Sequence, residues 1–149
     1  MIWKPHVTVA AIVEDKGRFL LVEEDIDGEL VINQPAGHLD PGETLLDAVV
    51  RETLEESAWH IEPEALVGIY RWPHPTKDIT FLRFAFFARG LRHEPTRPLD
   101  QEIRRILWLT PDEIAAQKER HRSPQVQRCI DDVQKGSRYP LALLKEFAI

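Results

Sequence analysis

The sequence predicts an α/β fold, an α/β/α sandwich in which a mixed β-sheet lies between helices. Segments rich in β-forming residues alternate along the chain with segments that carry helical signals, and no internal repeat or long linker divides them. The chain has 149 residues, of which 43% are hydrophobic and 8% are aromatic, the usual composition of a globular domain. We therefore predict a single domain that covers residues 1–149.

The first half of the chain predicts three strands and one helix. Residues 7–13 and 18–23 are rich in β-forming side chains, and the turn residues 14–17 between them indicate a hairpin. A third strand is expected at residues 30–32. Residues 37–42 contain Asp, Pro and two glycines, which is typical of a turn. Residues 43–57 lack Pro and Gly, so this loop is expected to lead directly into a helix.

The second half predicts four strands and two helices. Short strands are expected at residues 60–62 and 66–72, the longest strand at 79–89 and another at 103–109. Residues 110–113 read Thr-Pro-Asp-Glu, which combines a helix cap, a proline at the first helical position and a glutamate three residues after the cap. Ser-Pro at 123–124 predicts a second helix start, and Gly136 the end of that helix.

Charge and cysteine content exclude several classes of function. The net charge is −6 and no run of Lys or Arg is present, so a surface that tracks a nucleic-acid polymer is not expected. The single Cys129 cannot form an intrachain disulfide, and the N-terminal residues lack the features of a signal peptide. There is no apolar run near 18 residues, so no membrane span is expected either. We expect a cytoplasmic protein.

The most informative feature is an acidic motif in the predicted loop and helix. Six residues follow the spacing G-x5-E-x7-R-E-x2-E-E, namely Gly37, Glu43, Arg51, Glu52, Glu55 and Glu56. On a helix, the last three glutamates lie within an arc of roughly 100°, beside an apolar stripe that includes Val49 and Thr53. The simplest interpretation of an acidic face is exposure to solvent, with i, i+4 ion pairs to Arg51.

A metal site explains this arrangement better than exposure to solvent does. Three carboxylates at i, i+3 and i+4 beside a buried stripe repel one another unless a cation lies between them. Carboxylate oxygens are the ligands that Mg²⁺ prefers, with Mn²⁺ as a substitute. Since Mg²⁺ held by a few carboxylates keeps positions for phosphate oxygens, the sequence predicts an anionic, phosphate-containing substrate.

The motif matches the Nudix box, and the chain therefore resembles the Nudix hydrolases, which cleave phosphoanhydrides with a divalent metal. Five short segments outside the box resemble the NudJ-type phosphatases of that superfamily. They are residues 4–10 (KPHVTVA), 33–39 (NQPAGHL), 81–84 (FLRF), 122–124 (RSP) and 138–141 (RYPL). The resemblance implies the Nudix-type α/β/α sandwich with a mixed sheet.

The resemblance also implies roles for the residues of the box. Glu52 and Glu56 would be the principal metal ligands, Glu55 a further ligand or a ligand to a second ion, and Gly37 a ligand through its backbone carbonyl. A carboxylate outside the box often completes such sites, and Asp100 or Glu102 is the best placed, with preference for Glu102.

Arg51 would orient the site by pairing with Glu43, a role that suits the planar donors of its guanidinium. The chain departs from the usual box at Thr53, Ala58 and Trp59. The Thr53 hydroxyl needs a partner, which a carbonyl one turn back could provide. If Ala58 takes the left-handed cap position that glycine usually fills, it costs roughly 1 kcal/mol.

The substrate-binding residues are predicted from three segments. Residues 71–78 form a proline-rich loop where a ring could stack on Trp72 and Lys77 could contact phosphate; the alternative is a packed tryptophan and a solvated lysine. Arg83 lies on an apolar strand and is expected to face either water or the pocket, and the FLRF resemblance favours the pocket. His38 could contact phosphate or donate a proton, although a loop histidine held by the backbone is the simpler interpretation. No two histidines are spaced for zinc on one helix.

These expectations describe a Mg²⁺-dependent hydrolase in which activated water attacks phosphorus, with Glu52 as the base. The resemblance implies that nucleoside tri- and diphosphates and hydroxymethylpyrimidine pyrophosphate are hydrolysed with release of orthophosphate. One alternative is a pyrophosphohydrolase of ADP-ribose or dinucleoside polyphosphates. Another is a non-catalytic nucleotide-binding module, although such domains generally lose box carboxylates. The partner is a small phosphoanhydride, and we expect a monomer, with a small homo-oligomer as the alternative.

Overall fold

A computed structural model describes residues 1–147 of the chain. Its strands are β1 (His6–Asp15), β2 (Arg18–Ile26), β3 (Glu29–Asn33), β4 (Ala36–His38), β5 (Trp59–Pro73), β6 (Thr80–His93) and β7 (Ile103–Leu109). Its α-helices are α1 (Leu45–Ser57), α2 (Pro111–Ala116) and α3 (Gln125–Gln134), and 3-10 helices cover Lys118–Arg120 and Leu141–Leu143. Among these residues, no helix is long and apolar enough to cross a membrane.

The seven strands form one mixed sheet, as the sequence predicts, and five of them follow the order β3-β2-β1-β6-β5. β1 and β6 are parallel, whereas the other pairs are antiparallel. β1 and β2 pair only next to their turn, at Glu14↔Phe19 and Asp15↔Arg18. Beyond these pairs the two strands take different partners, because β4 pairs with β1 and β7 with β2. Residues from both sides of this divergence line the cleft described below.

Two hydrophobic clusters cover the two faces of the sheet and produce the three layers of the sandwich. One cluster includes Leu20 and Phe86 of the sheet and Val49 of α1. The other includes Phe19 of the sheet, Ile114 of α2 and Ile130 of α3. Since β6 is a central strand with both faces covered, the adjacent Phe86 and Phe87 can both pack in the interior. This explains the break in alternation along β6.

Three local predictions were wrong. The residues at 37 and 38, expected in a loop, belong to β4, since they pair with Val9 and Thr8 of β1. The strands expected at 60–62 and 66–72 are one strand, β5, which accommodates Pro63 because it lies at the sheet edge and has irregular register there. As a result Trp72 belongs to β5 rather than to the following loop.

Candidate active site

Helix α1 presents the box carboxylates because its ends and its buried face are well defined. Thr44 caps the N-terminus by accepting a hydrogen bond from the Asp47 backbone. Val49 and Thr53 are fully buried, and the Thr53 hydroxyl donates to the Val49 carbonyl at 2.7 Å, which is the partner expected from the sequence. Ala58 ends the helix with φ 62°, so the left-handed cap predicted for this position is confirmed.

Arg51 connects the loop before the helix to the acidic face of the helix. Its Nε and one terminal nitrogen donate to the two carboxylate oxygens of Glu43 at 2.6 and 3.0 Å. The other terminal nitrogen donates to Glu52 and Glu55, both at 2.9 Å. The hydrogen bonds from Arg51 hold the pKa of Glu43 below its usual value. Arg51 therefore reduces the repulsion between Glu52 and Glu55.

The loop before β7 brings two more carboxylates to the same place. The Asp100 backbone donates to the Glu55 carbonyl at 3.0 Å, and the Glu102 carbonyl accepts from the Asp25 backbone at 2.8 Å. Two groups of carboxylates result, each with oxygens within 4.8 Å of one another: Glu52 with Glu55 and Asp100, and Glu56 with Asp100 and Glu102. Both residues proposed to complete the site thus lie beside the box, with Asp100 common to the two groups.

Burial makes these carboxylates difficult to ionise without a cation. It raises the pKa of Glu56 to about 9, because its hydrogen bond from the Ala36 backbone offsets little of the desolvation and nearby carboxylates add repulsion. Burial likewise raises the pKa of Glu52 to about 7, although Arg51 opposes the shift. The pKa of Asp100 is also raised, by burial and then by Glu55 and Glu102.

The donors in the two groups fit a divalent metal. They supply carboxylate oxygens, which hard cations such as Mg²⁺ and Mn²⁺ prefer. Within the described chain, Glu56 has no Lys, Arg or His within 4.0 Å of its carboxylate. Since an ion pair does not compensate its charge, the group of Glu56, Asp100 and Glu102 has the greater need for a metal cation.

Gly37 lies directly against this acidic face. A Cβ atom at this position would collide with the carboxyl group of Glu52. Glycine is therefore required because the Glu52 carboxylate occupies the space of a side chain.

The carboxylates form one wall of a cleft of about 500 Å³. We call the cleft-lining carboxylates of α1 and of the loop before β7, Glu52, Glu56, Asp100 and Glu102, the acidic wall. We call the two arginines that line the same cleft, Arg83 and Arg122, the basic wall. Three further box residues do not line the cleft, namely Glu55, Arg51 and Glu43. They support the acidic wall through the hydrogen bonds of Arg51 to Glu43, Glu52 and Glu55.

Arg83 of β6 is a buried cation that faces the cleft, so the expected orientation toward the pocket agrees with the structure. Its side chain donates to Asn33 and to Gln34, in each case at 3.0 Å. Two of its partners are neutral amides and the third is the Cys129 thiol, whose sulfur accepts at 3.9 Å, and the buried Nε has no hydrogen-bond partner within residues 1–147. The residue is only 4% exposed, so its charge is not dispersed by water.

Aromatic rings continue the lining beyond the two walls. Trp72 stacks on Phe81 with ring centroids 5.7 Å apart, so this tryptophan is both packed and part of the cleft surface. His74 accepts hydrogen bonds from the backbones of Thr76 and Lys77 at 3.1 Å, and this turn places the exposed Lys77 at the cleft.

His38 also lines the cleft, but it belongs to β4, and its carbonyl accepts a hydrogen bond from Arg51 at 3.0 Å. Partial burial and the neighbouring His6 lower the pKa of its ring. The four predicted substrate-binding residues therefore lie in one cleft with the acidic wall.

Two charged residues of the cleft were missed by the sequence analysis. Glu24 of β2 and Arg122 form an ion pair at 3.2 Å, although they are 98 positions apart. The only sequence signal was the short segment at 122–124 that resembles NudJ-type phosphatases.

Known proteins support the family indicated by this site. A NUDIX domain model matches residues 4–129. The protein named Phosphatase NudJ from Escherichia coli strain K12 is 42% identical over 145 residues, which are 97% of this chain and 94% of that protein. The solved structure of a NUDIX hydrolase from Nitrosomonas europaea has a TM-score of 0.94 and 46% identity, and the match covers 97% of this chain and 98% of that one.

A more distant structure shares the fold alone. A UDP-X diphosphatase is 18% identical with a TM-score of 0.75, over 94% of this chain and 68% of that one. Together with the box residues on β4, before α1 and on α1, the matches above establish that the chain belongs to the Nudix family and is a Nudix hydrolase.

Proposed function

We propose that this protein is a Mg²⁺-dependent phosphatase of small phosphoanhydrides, which releases orthophosphate from nucleoside tri- and diphosphates and from hydroxymethylpyrimidine pyrophosphate. The observation that carries the proposal is the cleft itself, which is lined both by the carboxylates of the acidic wall and by two arginines. Such a cleft is complementary to a metal cation and a phosphate chain bound together. The 42% identity to a protein named Phosphatase NudJ supports terminal phosphate release.

The metal ligands we propose are Glu52 and Glu56 of the box, with Asp100 and Glu102 completing the site. Glu55 would contribute to a second ion, because it shares a group with Glu52 and Asp100 but does not line the cleft. A bound Mg²⁺, or Mn²⁺ in its place, supplies charge neutralisation at the phosphate oxygens and a lower pKa for water. The Gly37 carbonyl remains a proposed ligand.

Glu52 is the proposed general base. Burial raises its pKa to about 7, a value suited to accepting a proton from water at neutral pH. Its carboxylate is held between the backbone of Gly37 and a hydrogen bond from Arg51 at 2.9 Å. Arg51, in turn positioned by Glu43, keeps the base oriented toward the cleft.

The remaining lining residues bind the substrate in this proposal. Arg83 contacts phosphate oxygens, since a buried guanidinium with only neutral partners retains its charge for an anion. The organic group packs on Trp72, and Lys77 at the rim adds a second, exposed cation. His38 lies where it can contact the phosphate chain. We further propose that the chain acts as one domain, in the cytoplasm and as a monomer.

The test is a product analysis in ¹⁸O-labelled water. GTP and hydroxymethylpyrimidine pyrophosphate are incubated with the protein and Mg²⁺, with Mn²⁺, or with EDTA, and products are followed by phosphorus NMR. We expect label in orthophosphate, with GDP and later GMP as the other products, and no reaction in EDTA. Pyrophosphate as the main product would instead support the pyrophosphohydrolase alternative. Binding of the substrate without turnover in either metal would support the non-catalytic alternative.

A further inference from the structure

Arg122 is brought to the cleft by a segment that is tied to β3. The backbone of Arg122 donates to the Ile32 carbonyl at 2.8 Å, and Ile32 forms a parallel bridge with His121. Immediately after it, Ser123 and Gln125 line the cleft at the start of α3. The backbone position of Arg122 is therefore set by these contacts and does not depend on its side chain.

The side chain of Arg122 has one partner and remains accessible. One terminal nitrogen donates to Glu24 at 3.2 Å, and the side chain is 44% exposed. Among residues 1–147 its other N–H groups have no hydrogen-bond partner in the protein. Since an arginine carries five N–H donors, most of its capacity is left for a ligand in the cleft.

The burial of the Glu24 carboxylate adds little to the stability of the fold. It is only 5% exposed, and one of its carboxylate oxygens has no partner within the described residues. Burying a carboxylate with a single ion pair opposes folding more than it supports it. A carboxylate in this position is better explained by its effect on Arg122, which it holds at the cleft.

Glu23, the neighbouring residue of β2, forms ion pairs that have a purely structural role. Glu23 is also buried, but both of its oxygens are used, by Arg105 and Arg120. None of these three residues lines the cleft. The Glu23 contacts join β2 to β7 and to the 3-10 helix, whereas the Glu24 contact reaches a cleft arginine.

We propose that Arg122 is a substrate-binding residue that contacts the terminal phosphoryl group, and that Glu24 is the residue that positions it. This inference rests on the proposed function, and it assigns to Arg122 the specificity of the enzyme for the end of the phosphate chain. A terminal phosphoryl group has three non-bridging oxygens and more charge than an internal one, so it gains most from a guanidinium. Arg122 and Arg83 together provide two such groups in the cleft that the carboxylates also line.

The test compares four variants: Arg122→Gln, Arg122→Lys, Glu24→Gln and, as matched control, Arg105→Gln. The control removes an arginine that is also paired with a β2 glutamate but lies outside the cleft. For GTP hydrolysis we expect Arg122→Gln to raise KM about ten-fold or more, with a smaller fall in kcat. Arg122→Lys should restore part of the loss, and Glu24→Gln should raise KM less than Arg122→Gln does. Arg105→Gln should leave KM unchanged.

A binding measurement separates this inference from the proposed function. Calorimetric titration with inorganic phosphate in Mg²⁺ requires no turnover, and we expect Arg122→Gln to weaken binding about ten-fold while the Mn²⁺ affinity stays the same. Wild-type protein that hydrolyses nothing would contradict the proposed function, and the phosphate titration would still decide the role of Arg122. Unchanged phosphate affinity and unchanged KM in both Arg122 variants would overturn the inference. Loss of Mn²⁺ binding in a folded Glu24→Gln protein would overturn the positioning role.

Discussion

The two walls of the cleft hold charge in opposite ways. In the acidic wall, Glu56, Asp100 and Glu102 have oxygens within 4.8 Å of one another, and burial, with repulsion from nearby carboxylates, raises the pKa of Glu56 to about 9, so the ionised wall is unfavourable until a cation binds. On the basic wall each arginine has partners of its own: Arg83 is bonded to two amides and Arg122 to Glu24. The difference indicates that the acidic wall is completed by a metal, whereas the basic wall is already formed before an anion binds.

The largest effect is expected when one carboxylate of the acidic wall is removed. We expect Glu52→Gln and Glu56→Gln each to fold and to lose about a thousand-fold or more in kcat, since metal binding and proton transfer both depend on them. Steady-state phosphate release in saturating Mg²⁺ measures the effect. Glu62→Gln, which changes an exposed glutamate paired with Arg89, is the control and should keep wild-type kcat. Full activity in either box variant would falsify the proposed mechanism.

Gly37→Ala tests whether the placement of the acidic wall matters as much as its charge. The added Cβ displaces the Glu52 carboxyl group, which is the mobile end of a side chain, so the cost in stability should be small. A catalytic group moved by about 1 Å loses about a hundred-fold in rate, and we expect that loss in kcat. Gly90→Ala adds a methyl group beside Trp59, away from the cleft, and should leave kcat unaltered. A Gly37→Ala enzyme with normal kcat would show that Glu52 tolerates displacement.

On the basic wall, Arg83→Met should affect binding more than chemistry. It removes a charge-assisted contact worth about 1.5–3 kcal/mol, so we expect KM for GTP to rise at least about ten-fold with a smaller change in kcat. Because Asn33 and Gln34 lose their donor, urea denaturation should also show lower stability. Arg128→Met, which changes an exposed arginine paired with Asp132, serves as the control. A fall in kcat at constant KM would indicate instead that Arg83 acts in the chemical step, as the residues of the acidic wall do.

Burial of the acidic wall, together with repulsion between its carboxylates, predicts an unusual dependence of stability on pH. In the metal-free fold, the pKa values of Glu52 and Glu56 are raised to about 7 and about 9 from 4.5. The folded protein then binds protons that the unfolded chain releases, so stability falls as pH rises from about 4.5 to about 9. The slope is about 1.4 kcal/mol per pH unit for each group that titrates.

Mg²⁺ should therefore stabilise the protein more at pH 8 than at pH 6, as measured by urea denaturation with Mg²⁺ or EDTA. Glu56→Gln should flatten the pH dependence in EDTA. A metal effect that is equal at both pH values would argue against the burial and repulsion of carboxylates as the property that separates the two walls.

The two walls also differed in how well the sequence predicted them. The acidic wall depends mainly on one helix, where periodicity places Glu52 and Glu56 on one face without knowledge of the tertiary structure. The partner of the Thr53 hydroxyl, one turn back on the same helix, is likewise local. By contrast, the ion pair between Glu24 and Arg122 joins positions 98 residues apart, and no local pattern brings them together. Only short motifs of the resembling family indicated that part of the cleft.

The errors in the fold have the same origin. β4 has the glycine of a turn, yet pairing with β1 makes Gly37 part of the sheet. Pro63 lies between the strands expected at 60–62 and 66–72, but an edge strand with irregular register accommodates it. In both places tertiary pairing outweighed the local preference. β7 and the capping box at Thr110 were predicted well because their signals lie within a few residues.

The smallest expected effect concerns the end of the helix that carries the acidic wall. Ala58 has φ 62°, a conformation that costs an alanine roughly 1–2 kcal/mol and glycine little. Ala58→Gly relieves that strain but loses a buried methyl group worth about 0.8 kcal/mol, so we expect a net gain in stability below about 1 kcal/mol. Urea denaturation measures it, and kcat should not change because Ala58 does not line the cleft. If Ala58→Gly is less stable than wild type, packing of the methyl group outweighs backbone strain at this cap. In that case the burial of Ala58 stabilises the helix end by more than its positive φ destabilises it.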